Sequence, residues 1–253
     1  MNSPSLTIDF CGISCENPFF LACSPTRTGY AEIASALEEG WAGVFLEDNL
    51  ETLRQLKQDY PSKGIIASVQ GKEQLSDMAK KAEDMGADAV ELQCSHIDAV
   101  SITKQIKSRV KIPVILKITA NTANLNILAI NLSRAKANAM SLVLGPKNMS
   151  HFAFRRITEI ASNPITQHLH LSAAAPVEFW LDSLELIELG CSNMQVDPST
   201  MKEGPGIIKE FISGFQNYMS SNNFIDMASL VGKKSDALRR MRAQAGALGS
   251  SKD

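Results

Sequence analysis

Lys117 is the residue with the most chemistry to offer. It follows V-I-L at 114–116 and is trailed by Thr119 and Asn121. Such a nearly continuous apolar run predicts a strand buried on both faces, as in a parallel sheet. A cation at the end of that strand is costly unless it meets a cavity or an anionic partner. Lysine there can contact a ligand, stabilise charge developing on a ring, or form a Schiff base as a free amine. Neutralisation by Glu47 or Glu91 from across the fold is the competing arrangement, and both stay open.

Three other groups carry chemistry. Glu47 and Asp48 end a second apolar run and have the make-up of an acid–base or metal pair. Neighbours on a strand point to opposite faces, however, so only one of them can enter a site. His96 follows Gln93, Cys94 and Ser95 and is a candidate acid or base near neutral pH. Arg27 has the charge to clamp an anion, or to sit solvated in its loop. His168 and His170 share a strand face near the amino end of their strand, where a structural role is expected. The five cysteines, at 11, 15, 23, 94 and 191, form no C-x-x-C pair and no cluster-binding spacing. No metal site is expected.

These residues need a frame, and the chain supplies one by alternation. Segments 5–10 and 13–17, hinged at Gly12, predict a small hairpin. Apolar runs at 18–24, 44–46, 65–70, 89–95, 114–116, 140–144, 168–174 and 193–196 predict eight strands. Helical periodicity fills the intervals at 30–39, 51–59, 73–85, 97–109, 124–136, 152–161, 178–189 and 206–219. Gly40, Gly86, Asn138 and Gly190 fall where left-handed helix ends are needed, at intervals of about two βα units. The pattern predicts a (β/α)8 TIM barrel with an N-terminal β-hairpin, over 1–232. Segment 222–232 reads as a docked peripheral element, and 233–253 as a basic C-terminal helix with a frayed tail. Because ligands sit at the carboxyl ends of barrel strands, Lys117, Glu47, Gln93 and His96 belong to one mouth.

Composition narrows the function. There are 25 basic and 27 acidic residues among 253, with no basic groove interleaved with aromatics, so nucleic acid is not the expected partner. No apolar run reaches membrane-spanning length, and no charged segment followed by an apolar signal opens the chain. A cytoplasmic protein binding a small molecule at the barrel mouth is expected, alone, as a homo-oligomer or with a partner subunit.

At this point the order of motifs resembles the flavin-dependent dihydroorotate dehydrogenases, and in particular the barrel subunit of dihydropyrimidine dehydrogenases. The matching stretches are L-T-I-D-F-C-G-I-S-C-E-N-P-F-F-L-A-C-S-P (6–25), E-E-G-W-A-G-V (38–44) and M-G-A-D-A-V-E-L (85–92). V-K-I-P-V-I-L-K-I-T-A-N (110–121), V-E-F-W-L-D-S (177–183), M-Q-V (194–196), F-I-S-G-F-Q-N-Y-M (211–219) and F-I-D-M-A-S-L-V-G-K (224–233) continue it in collinear order. The resemblance implies flavin mononucleotide (FMN) across the mouth. Lys117 would approach the flavin ring, where a cation favours the anionic reduced form. The backbone at Ser24, the Gln93 amide in place of the family's asparagine, and Asn121 of the family's K-x-T-P-N would complete the cofactor site.

Departures from the family pattern run the other way. Glu47 and Asp48 occupy the region of a second family lysine. Ala174-Ala175-Pro176 replaces a glycine pair that cradles the phosphate, and Asp197-Pro198-Ser199 replaces a small phosphate loop. Proline has no N–H to donate, and alanine resists the backbone geometry that glycine allows. The loop that would carry a cysteine or serine base after the fourth strand is absent, so turnover of dihydroorotate or pyrimidines by the chain alone is not expected. Weak or absent FMN binding by the isolated chain is expected. The alternatives are a divergent FMN-dependent oxidoreductase, a flavin-free barrel serving as a binding or scaffold subunit, and a different enzyme using Lys117 or His96.

Overall fold

The protein is described from a computed structural model covering residues 3–23, 28–71, 74–145, 151–197, 204–236 and 240. Two short antiparallel strands come first, β1 (Ile8–Phe10) and β2 (Ile13–Cys15), turning through Cys11 at φ +59° and Gly12 at φ +87°. Eight parallel strands then close into a barrel: β3 (Phe19–Cys23), β4 (Gly43–Glu47), β5 (Gly64–Gln70), β6 (Ala89–Gln93), β7 (Val114–Thr119), β8 (Ala139–Val143), β9 (His170–Ala174) and β10 (Asn193–Val196). Strand β10 pairs with both β9 and β3, which completes the ring.

The helices between strands are α1 (Tyr30–Glu39), α2 (Leu50–Asp59), α3 (Leu75–Asp84), α4 (Ala99–Lys107), α5 (Leu125–Arg134), α6 (His151–Ala161) and α7 (Trp180–Leu189), followed by α8 (Ile208–Ser221) and α9 (Met227–Leu230). Local chemistry starts and stops them. Glu32 Oε2 accepts from the Gly29 N–H at 2.9 Å, and Asn49 Oδ1 accepts from the Thr52 N–H at 3.1 Å, which satisfies donors orphaned at helix starts. Gly40 and Gly190 end α1 and α7 at φ +122° and +120°. The peripheral element expected at 222–232 is seated: Met227 and Leu230 are buried, and the Ser5 N–H bonds Ile225 O at 3.1 Å. Of the basic segment at 233–253, residues 237–239 and 241–253 lie outside the described residues, as do Ser24 and Arg27.

Three details differ from expectation. Strand β6 ends at Gln93, and Ser95 is exposed beyond it. His168 lies outside β9 and is exposed, with Nε2 3.1 Å from Ser133 Oγ. A turn closed by the Leu169 N–H on Thr166 O delays the strand until the His170 N–H reaches Asn138 O at 3.0 Å. Asn138 is not the left-handed helix end; Lys136 is, at φ +62°. The Asn138 amide oxygen instead accepts from the Val114 N–H and from Lys107 Nζ, each at 3.0 Å, fixing the entry to β7 and β8.

The floor of the barrel is aromatic. Phe10 from the hairpin lies 6.3 Å from the rings of both Phe20 and Phe45 and meets His170 edge-on at 5.8 Å. The Phe20 ring requires glycine beside it. A Cβ on Gly43 would stand 2.1 Å from Gly64 O and 2.6 Å from the Phe20 ring. Gly43→Ala is therefore expected to cost about 1–3 kcal/mol, because a sheet carbonyl cannot move aside as a flexible side chain can. A guanidinium melt with a lower midpoint at unchanged slope would show it.

Burial holds the His170 ring below its ordinary 6.5, with Asp9 opposing the shift. The folded state thus takes up this proton at lower pH than the unfolded chain. The corresponding stability is present above about pH 6.5 and is lost as the pH falls toward the lowered folded value. Unfolding midpoints between pH 7.5 and 5 should decline less in His170→Gln than in the parent.

Candidate functional site at the barrel mouth

Strand pairing decides which side chains face inward. Glu47 pairs with Ser68, Ser68 with Glu91, Gln93 with Lys117, Lys117 with Ser141, and Ser141 with Ser172. Residues in register share a face, so all of these project into the barrel. Above the aromatic floor the interior is consequently polar, in a molecule whose outward strand positions are apolar.

Glu91 is the hub. It is fully buried, and Ser68 Oγ donates to its Oε2 at 2.6 Å while Gln195 Nε2 donates to its Oε1 at 2.8 Å. Lys117 Nζ stands 3.3 Å from Glu91 Oε2 and 3.6 Å from Glu47 Oε1. Gln93 Nε2 donates to Glu47 Oε1 and to Ser68 Oγ, each at 2.9 Å. Gln195 Nε2 also lies 2.8 Å from Ser141 Oγ and 3.1 Å from Ser172 Oγ. Lys117 is thus paired with both carboxylates and lines the mouth as well.

Over this network lies a cavity of about 350 Å³, toward the small end of the roughly 300–1,000 Å³ usual for small-molecule sites. Ala22, Phe45, Val143 and Leu144 give it apolar walls, and Glu47, Lys117, Gln195 and Asp197 its polar ones. Cys23 is also in the wall, but its thiol is pushed up to about 12, mainly by burial, with the Thr28 hydrogen bond opposing and Asp197, Glu32 and Glu47 adding. Cys94 is raised to about 11, again chiefly by burial. Both stay thiols and offer no nucleophile.

Of the residues expected at the site, Lys117 and Gln93 come together as described. Asn121 is exposed in the turn after β7 and His96 is exposed after β6, and neither lines the cavity. Ser24 lies outside the described residues. Glu47 faces inward, whereas Asp48 turns away at φ +44° and accepts from Gln70 Nε2 at 2.6 Å. The two do not form a pair. Among the described residues no group of three or more His, Cys, Asp or Glu side chains is placed to hold a metal ion. Ser68, Ser141, Ser172 and Gln195 escaped the sequence reading. Their signal was a polar residue at an inward position of an otherwise apolar strand, at the period of two.

The mouth can be tested against FMN. Its apolar walls and Lys117 suit the ring. At the place the resemblance gives to the phosphate, Pro176 has no N–H, and among the described residues the Ala175 N–H is engaged by Gln195 O at 3.4 Å. Asp197 adds a carboxylate on the same wall. No helix is long and apolar enough to cross a membrane among the described residues.

No family model matches the chain. It is similar to the NAD-dependent dihydropyrimidine dehydrogenase subunit PreA of Escherichia coli, at 25% identity over 92% of this chain and 77% of the relative. It is also similar to the chloroplastic dihydropyrimidine dehydrogenase (NADP(+)) of Arabidopsis thaliana, at 21% identity over 100% of this chain and 85% of that protein. The catalytic subunit of dihydroorotate dehydrogenase B (NAD(+)) from Thermoplasma volcanium is 26% identical over 63% of this chain and 64% of its own length.

Proposed function

We propose that this chain, a divergent and loop-shortened member of the dihydroorotate and dihydropyrimidine dehydrogenase-like barrels, is an oxidoreductase of that class acting on a different substrate. The observation that carries the reading is Lys117, kept on the inner face at the carboxyl end of β7 and fixed there by Glu91 and Glu47 beside an open cavity. A lysine so fixed presents a positive edge to a ring lying on Ala22, Phe45 and Val143. The short segment 94–98, which connects β6 directly to α4, leaves no room for a base-bearing loop. This argues against dihydroorotate and pyrimidines as substrates of the chain alone. Gln93 and the Ser24 backbone belong to the same proposed ring contact, with Asn121 at the rim. His96 stays a candidate only for a proton step at the rim.

The relatives include named subunits, so we place the chain in an assembly with a partner subunit, in the cytoplasm, where its free cysteines remain reduced. FMN is the cofactor the class implies, held weakly by the isolated chain. The second reading, a flavin-free barrel serving as a binding subunit, is favoured by one observation, the unsuited phosphate end at Ala175 and Pro176. A difference absorption spectrum at about millimolar FMN separates the two. A shifted flavin band that disappears in Lys117→Met supports the redox reading. An unshifted band sinks it and leaves the binding subunit.

A further inference from the structure

We infer that the lower interior of the barrel binds ordered water, held between the side chains of Gln195 and Asn193 on β10. This water lies beneath the Glu91 network and owes nothing to the reaction proposed for the mouth.

Two buried amides lead to it. Gln195 points inward, since its Nε2 reaches Glu91, Ser141 and Ser172. Asn193 precedes it by two positions on the strand and takes the same face, one step nearer the amino end. Its register partner on β9 is Ser172, which also faces inward. Asn193 is fully buried and Gln195 nearly so. Among the described residues neither Oδ1 nor Nδ2 of Asn193 has a hydrogen-bond partner, and Gln195 Oε1 has none either. Turning the amides round does not cure this. Asn193 would exchange one unpaired atom for another, and Gln195 would set its oxygen against the Glu91 carboxylate.

Chemistry and spacing both select water. The unpaired set holds two acceptors and a donor, so a cation would leave Nδ2 unserved and an anion would leave both oxygens unserved. Water donates and accepts. Alternate residues on a strand are about 6.6 Å apart, too far for two inward amides to bond directly. One water making two hydrogen bonds spans about 5.8 Å, which fits the gap once the side chains lean together. It donates to Gln195 Oε1 and accepts from Asn193 Nδ2, relieving groups that are unfavourable when buried unpaired. Below, Phe10 closes the floor against Phe20 and His170, at 6.3 and 5.8 Å, so a larger molecule has no way in from that end. By holding Gln195 Oε1 the water also steadies the amide that supports Glu91.

Magnetic resonance of the full chain tests for this water. With isotope-labelled asparagine, the Asn193 Nδ2 protons should show cross-relaxation to water, with the sign of a long-lived bound molecule. Asn193→Leu keeps a similar volume and removes the polar atoms. In that variant the relaxation dispersion of the water nuclei should lose amplitude relative to the parent, and the guanidinium midpoint should fall. Dry amides predict the reverse for the midpoint, because leucine would then remove an unpaired group and raise it. Absent cross-relaxation at Asn193 overturns the proposal, as does an unchanged dispersion amplitude or a raised midpoint in the variant. The cross-relaxation measurement uses the parent alone and decides the matter even if Asn193→Leu does not fold.

Discussion

Glu91→Ala should lower the free energy of unfolding by about 3–5 kcal/mol, the usual consequence of removing one partner from a buried charge pair. The substitution leaves Lys117 with only Glu47, at 3.6 Å, and strips Ser68 and Gln195 of their shared acceptor. A loss this large approaches the whole stability of many domains, so two companions keep the test informative. Lys117→Met leaves Glu91 its two neutral donors and should cost less. The double variant Glu91→Leu with Lys117→Met removes both charges and should recover part of the deficit, since a buried ion pair can often be replaced by apolar groups. Chemical denaturation of these proteins together with the Glu91→Leu single variant gives the coupling energy, expected above about 1 kcal/mol for residues in contact. A cost below about 1 kcal/mol for Glu91→Ala would mean that the network contributes little, contrary to its burial.

The isolated chain should bind FMN no more tightly than riboflavin, with a dissociation constant of roughly 0.1–1 mM. A phosphate held by amide donors gains about 1.5–3 kcal/mol from each charge-assisted hydrogen bond. Here two such bonds are missing, one because Pro176 has no N–H and one because the Ala175 N–H is engaged by Gln195 O. Together they amount to about 3–6 kcal/mol, or roughly two to four orders of magnitude in affinity. Fluorescence titration measures this directly. Pro176→Gly supplies a donor and should tighten FMN about tenfold while leaving riboflavin unchanged. A constant below about a micromolar for FMN in the unaltered chain, with riboflavin far weaker, would show that the phosphate has another cradle.

Both expectations follow from the interior of the barrel, and the sequence revealed that interior unevenly. The architecture was legible because its signals are local. Each buried parallel strand is its own apolar run, each helix carries its own periodicity, and Gly40, Gly86 and Gly190 mark chain reversals within a few residues of the helices they end. Lys117 was legible for a related reason, since a cation closing an apolar run must have a destination.

What the sequence left open was the destination. It offered Glu47 or Glu91 as partners, and only the closed ring brings both within 4 Å of the same ammonium. It offered Glu47 with Asp48 as a pair, and the left-handed turn at Asp48 separates them. It placed His96 and Asn121 at the mouth by position, and both are exposed in the loops that follow β6 and β7. Gln195 lies 104 residues from Glu91, and no local pattern joins them. A period of two tells which face a residue takes, but which residues meet across the barrel depends on strand register, and register is fixed only when β10 closes against β3.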